Sequence, residues 1–138
     1  MNESAPASRP LRSIAAVVLG LLVTAALSIG TDFALRASGL FPPADQPLGN
    51  AQFALAAVYR TVFAALGGYV AAQFAPRHPL RHALILGSIG SLLALLGLIA
   101  SRGQGPEFGP LWYPLSLVLT ALPATWAGAT LQARRRRR

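Results

Sequence analysis

Residues 15–36 read AAVVLGLLVTAALSIGTDFALR, an apolar run that ends by carrying an acid toward the lipid. From Ile14 to Leu35 the only charge is Asp32. Coiled as a helix, that span rises about 33 Å, enough to cross a hydrocarbon core of roughly 30 Å. Ala16, Gly20, Thr24 and Ser28 fall four apart and form a narrow face of small side chains, and the next residue on that face is Asp32. A cleaved signal peptide is the competing reading, with Arg9 and Arg12 as its basic start. The run is too long for the apolar region of such a peptide, and no A-x-A site closes it.

Outward from this stretch, the chain repeats the pattern. Residues 1–11, with MNESAPASRP at their head, are polar and proline-broken and predict a disordered lead-in. ASGLFPPADQPLGN follows the first helix as a loop at the membrane surface. A second apolar run ends at Pro76, PRHPLR makes a tight basic turn, and a leucine-rich third run reaches Ser101. SRGQGPEFGP is the next turn, and a fourth run carries Pro123 in its interior, where a proline should bend the helix. The expected organisation is all-α: a transmembrane domain over 12–133 with helices at about 12–37, 51–75, 80–101 and 111–133, then a basic tail at 134–138.

Composition agrees. Of 138 residues, 54% are hydrophobic and 12% charged, whereas soluble domains run near a quarter charged. Twelve arginines and no lysine face four acids (Glu3, Asp32, Asp45 and Glu107), for a net charge of +8. Five of those arginines form the terminal run Arg134–Arg138, which suits anionic lipid rather than a nucleic acid, because no aromatic side chain is interleaved for base stacking. The absence of cysteine removes disulfides and thiolate chemistry.

Orientation follows from the arginines. With four crossings, Arg9, Arg12, Arg77, Arg81 and Arg134–Arg138 share one side, and Arg102 is left on the other with Asp45 and Glu107. Positive charge in short loops favours the cytoplasm, so both termini are expected there. Phe41, Phe108, Trp112 and Tyr113 gather at the outer ends and Trp126 toward the inner end; aromatic rings so placed read as interface anchors.

The second helix carries Ala56, Ala64, Gly68 and Ala72 four apart, and the position missing from that series is Arg60. With the outer ends near Leu40 and Ala51, Asp32 and Arg60 both lie about 12–14 Å below them. An intramembrane charge costs at least ~2.5–3.5 kcal/mol, so each needs a partner or a water path. The expectation is an interhelical Asp32–Arg60 pair, with Thr31, Tyr59 and Tyr69 as further hydrogen-bond partners. Arg36, four residues after Asp32, competes for it or reaches the headgroups instead. Helix packing is expected at Gly20, Ser28, Ala64, Gly68, Gly87, Ser91 and Gly128, since small residues let membrane helices approach closely.

No metal site and no cofactor are expected. His78 and His82 are four apart, but Pro79 between them opposes one continuous helix holding both rings on one face. Enzyme chemistry lacks a nucleophile–base pair, a phosphate loop or a second buried carboxylate, and no catalytic role is expected.

GTD at Gly30–Asp32, YR at Tyr59–Arg60, GGY at Gly67–Tyr69 and GPEFGPLWYP at Gly105–Pro114 together resemble a group of small, uncharacterised bacterial inner-membrane proteins with four predicted helices. That resemblance covers residues 12–132 and implies a bacterial inner-membrane location without implying an activity. Small four-helix multidrug exporters are similar in size, but they carry a glutamate within the first helix where this chain has Asp32 near its outer end.

Two functional readings follow. In the first, the chain is a structural or accessory subunit whose Asp32–Arg60 pair fixes which helices touch, its partners being the lipid bilayer and other membrane subunits, whereas a homo-oligomer with nothing else bound favours the second. In the second, it is a small oligomeric transporter or channel with Asp32 as the ion-coupled site. The second needs polar residues leading inward from Asp32, for which Thr24, Ser28, Ser88, Ser91 and Thr125 are the candidates. No further acid or histidine completes a relay, which favours the first.

Overall fold

The computed structural model describes residues 8–105 and 108–138. The lead-in expected over residues 1–11 lies outside the described residues as far as residue 7, as do Pro106 and Glu107 of the outer turn. Four helices follow one another: α1 Arg9–Ala37, α2 Asn50–Phe74, α3 Pro79–Ser101 and α4 Trp112–Arg136. α1 begins at Arg9, inside the expected lead-in, because Pro10 sits in its first turn, where the missing amide hydrogen is not needed. α4 runs on through Arg134, Arg135 and Arg136, so the basic tail is largely helical; cations are favourable at the carbonyl end of a helix. Pro123 lies inside α4 without breaking it.

Each of the four is long and apolar enough to cross a membrane, which points to a multi-pass membrane protein. The distribution of side chains agrees. The core is mostly small residues, among them Ala16, Ala56, Ala71, Ala72, Ala83 and Ala129, with Phe41, Phe53, Tyr59 and Leu86 as its large members, while Leu22, Leu92, Leu96, Leu119 and Ile99 face outward. A bundle in water hides its leucines; one surrounded by hydrocarbon gains nothing by doing so and packs through small residues and hydrogen bonds. α2 is the central element and packs on the other three, α4 packs on α2 and α3, and α1 lies on α2 with a narrower edge against α3.

The helices cross where glycine permits it. A Cβ on Gly20 would lie 2.6 Å from the Gly67 carbonyl oxygen, and one on Gly67 would lie 2.7 Å from that of Gly20, so α1 and α2 touch backbone to backbone. α2 meets α4 where Gly128 sits on the Ala65 carbonyl and Gly68 on Thr125. α3 meets α4 where Gly87 faces Leu122 and Thr125, and Ser91 Oγ donates to the Val118 carbonyl at 2.9 Å.

The small-residue stripe expected on α2 therefore serves two partners. Residues four apart drift about 40° around a helix, so a series from Ala56 to Ala72 turns through about 160°, nearly half a circle. Its outer member Ala56 lies under the α1–α2 loop with Phe41, its member Gly68 faces α4, and Ala72 joins Ala83 and Ala129. The residue that meets α1 is Gly67, seven positions from Arg60 and thus within about 20° of its face. Ala64 and Ser28 are only half-buried.

Candidate functional site: a charge pair between the first two helices

α1 and α2 run antiparallel from the Gly20–Gly67 crossing, and Thr24 extends that contact by donating to the carbonyls of Gly20 (2.9 Å) and Phe63 (3.2 Å). Two turns further out the same pairing brings Asp32 opposite Tyr59 and Arg60. Arg60 Nη2 lies 2.5 Å from Asp32 Oδ2, and the Tyr59 hydroxyl donates to Oδ1. Both carboxylate oxygens are thus engaged, one by a cation and one by a neutral donor. Among the described residues this is the only ion pair. It is not sealed: the side chains keep 34% (Arg60) and 30% (Asp32) of their exposure, whereas Arg60 Nε is buried with no hydrogen-bond partner.

An apolar lid lies over the outer side of the pair. Phe41 is 2% exposed and packs with Ala56 and Tyr59, and Leu35, Leu48, Phe63 and Tyr113 close around them. The α1–α2 loop is held there by backbone and side-chain bonds. The amide of Phe41 donates to the Leu35 carbonyl (2.9 Å), Arg36 Nη1 to the Pro42 carbonyl (2.6 Å) and Gln52 Nε2 to the Leu40 carbonyl (2.7 Å). Gly109, at φ +83°, lies flat on the Phe53 ring, where a Cβ would come within 2.3 Å of it. Phe53 in turn packs against Tyr113 in a tilted contact, ring centroids 4.9 Å apart.

Several expected residues sit elsewhere. Arg36 holds the loop rather than Asp32, whose oxygens are already occupied. Tyr69 lies at the α2–α4 crossing, its amide beside Gly128, about 14 Å along the helix from Arg60. Among the described residues Thr31 forms no hydrogen bond with the pair. Of the expected interface anchors, Trp112 and Trp126 face outward, as does Phe108, but Phe41 and Tyr113 turn inward. Tyr113 turns inward because it packs against Phe53 and the Phe41 cluster, while its neighbour Trp112 stays outside.

Four of the five candidates for an inward polar path are bonded to backbone, and Ser28, half-buried on α1, forms no side-chain hydrogen bond among the described residues. Thr24 donates to Gly20, Ser88 to Leu84 (2.8 Å), Ser91 to Val118 and Thr125 to Ala121 (3.0 Å). Each of these four hydroxyl protons thus satisfies a carbonyl of its own or a neighbouring helix.

The polar residues that sequence reasoning passed over join α2 to α4. Gln132 is 1% exposed, and its Nε2 donates to Gln73 Oε1 at 2.9 Å while its own oxygen has no partner. Thr61 and Thr120 form a second rung at 3.2 Å. The paired twelve-residue spacing in two parallel helices was the available signal. His82 Nδ1 bonds the His78 carbonyl at 3.1 Å, and among the described residues no three histidine, aspartate or glutamate side chains gather as metal ligands.

No family model, curated protein or solved structure matches the chain. What it does has to be argued from its own residues.

Proposed function

We propose that the chain is a multi-pass protein of the bacterial inner membrane, with both termini cytoplasmic, that acts as a non-catalytic structural or accessory subunit. The orientation rests on the arginines: nine lie at the end of the bundle that holds both termini, and Arg36 and Arg102 lie at the other.

The observation that carries the subunit reading is the state of the Asp32–Arg60 pair. Both carboxylate oxygens of Asp32 are engaged by residues of α2, Oδ2 by Arg60 and Oδ1 by the Tyr59 hydroxyl, so the pair ties α1 to α2. Yet a third of each side chain remains at the surface of a single copy. A charge facing hydrocarbon costs up to ~2.5–3.5 kcal/mol at the bilayer centre and less toward the interface, so another membrane protein surface covering the pair is the favourable arrangement. The pair then sets the register for α1 against α2 and for the covering helix against both.

The same partial exposure also supports a second reading, a small oligomeric transporter or channel that reaches Asp32 from the surface. Reconstitution separates the two. The subunit reading expects proton and monovalent-cation flux in vesicles carrying the purified chain to equal that of protein-free vesicles. Flux above that level, abolished by Asp32→Asn, would replace it with the transporter reading.

A further inference from the structure

The end of the bundle opposite the charge pair carries a second built feature. α2 stops at Phe74 and the chain turns back through Ala75–His78. His78 adopts a left-handed conformation (φ 50°), and Pro79 opens α3 in the following position. That tight reversal sets Arg77 and Arg81 on either side of the turn and brings both beside the first turns of α1. A cavity of about 290 Å³ lies between them, lined by Arg9 and Ser13 of α1, Arg77 and His78 of the turn, and Arg81 and His82 of α3. Three arginines and two histidines thus contribute to one concavity whose wall is otherwise mainly apolar, with Pro76 and Ile85 completing it and no carboxylate among its lining residues. His82 is 8% exposed and fixed through Nδ1, so it is a rigid wall of the cavity rather than a surface side chain.

The cavity does not end in water on all sides. Its members Arg81 and Ile85 also begin a second hollow, of about 340 Å³, that runs along the outer face of α3 past Leu84, Ser88, Ile89 and Leu92. From Arg81 to Leu92 the helix rises about 17 Å. An arginine-rimmed hollow that shares Arg81 and Ile85 with a shallow, mainly apolar strip along the face of α3 matches an amphiphile with an anionic head. Basic pockets between membrane helices are known to take lipid phosphates. A soluble anion would use the hollow and leave the strip empty.

We propose that this cavity binds the phosphodiester of an anionic phospholipid, with one acyl chain lying along the α3 strip. The site is separate from the Asp32–Arg60 pair and independent of the functional reading above. It is also distinct from Arg134–Arg138, which are at the same end of the bundle but do not line it.

The test is a lipid titration of the purified full chain in detergent, read by native mass spectrometry with phosphatidylglycerol, phosphatidylcholine and inorganic phosphate as probes. Phosphatidylglycerol is expected to bind at least about tenfold more tightly than phosphatidylcholine. Each arginine near a membrane surface contributes about fivefold to anionic-lipid affinity, so Arg77→Gln with Arg81→Gln should weaken phosphatidylglycerol binding by more than about tenfold. Ser88→Trp, which covers the strip, should weaken the lipid and leave phosphate binding unchanged. Glutamine at all of Arg134–Arg138 should leave the phosphatidylglycerol preference in place. If the double variant does not fold by circular dichroism, Arg9→Gln, on the first turn of α1, should lower the affinity about fivefold. Unchanged lipid binding in the folded Arg77 and Arg81 variant, or in Arg9→Gln, would overturn the proposal. So would a preference that disappears with the tail arginines, or a Ser88→Trp variant that binds lipid like the parent.

Discussion

Replacing Gly128 by alanine adds one methyl group at the place where α4 rests on α2. Built on the existing backbone, that methyl would lie 1.9 Å from the Ala65 carbonyl oxygen and 2.8 Å from the Tyr69 amide nitrogen. Ordinary contact begins at 3.4 Å, so the shortfall is about 1.5 Å, and the obstacle is main chain that cannot rotate aside. α4 must therefore move away from α2. The movement opens the reciprocal Gly68–Thr125 contact and stretches the Thr61–Thr120 and Gln73–Gln132 bonds at either end of the seam. Overpacking of this kind costs about 1–3 kcal/mol, and weakening one of the two bonds adds about 0.5–1.5 kcal/mol. Gly128→Ala is thus expected to destabilise by ~2–4 kcal/mol in reversible unfolding by SDS in mixed micelles. Gly97→Ala is the matched control, because a Cβ there meets nothing within 4 Å, and a mid-helix glycine-to-alanine change should stabilise by up to about 1 kcal/mol. A Gly128→Ala protein as stable as the parent, or equal losses at both glycines, would refute the packing argument.

Asp32→Ala and Arg60→Ala should each destabilise by about 1–3 kcal/mol, less than a fully buried pair because a third of each side chain is exposed; the double variant should lose clearly less than the sum, as a double-mutant cycle in the same micelles would show. Tyr59→Phe removes the donor to Asp32 Oδ1 and should cost about 1.5–3 kcal/mol in that assay, an effect that disappears in an Asp32→Ala background. The chain has no cysteine, so single introduced thiols report topology cleanly: Gln104→Cys should react with a membrane-impermeant maleimide on intact cells, and Ala133→Cys only after lysis.

The charge pair was legible because apolar helices leave a charge nowhere to hide. Asp32 stands alone in the first run, and Arg60 interrupts the second at a matching depth, so partnership follows from the cost of leaving either unpaired. The four helices were legible for the same reason. What the sequence left open were choices between two acceptable environments. Phe41 and Tyr113 lie at a depth where headgroups and a packed lid both suit an aromatic ring, and only the loop bonds from Leu35 and Gln52 decide for the lid. Gly67 and Gly68 are adjacent and equally small; which one meets α1 depends on a drift of 40° per four residues that a fixed four-residue stripe ignores. Gln73 and Gln132 drew no notice because glutamine near a helix end is ordinary at an interface, and only the parallel placement of α2 and α4 makes them a pair.

The account turns on whether another protein surface covers the Asp32–Arg60 pair. The direct measurement is the mass and composition of the particle extracted at native expression level in mild detergent, for the parent chain and for Asp32→Asn. The account predicts a stoichiometric set of other membrane proteins with the parent and their loss or sharp reduction with the variant. A particle made of this chain alone, or partners retained unchanged by Asp32→Asn, would contradict it.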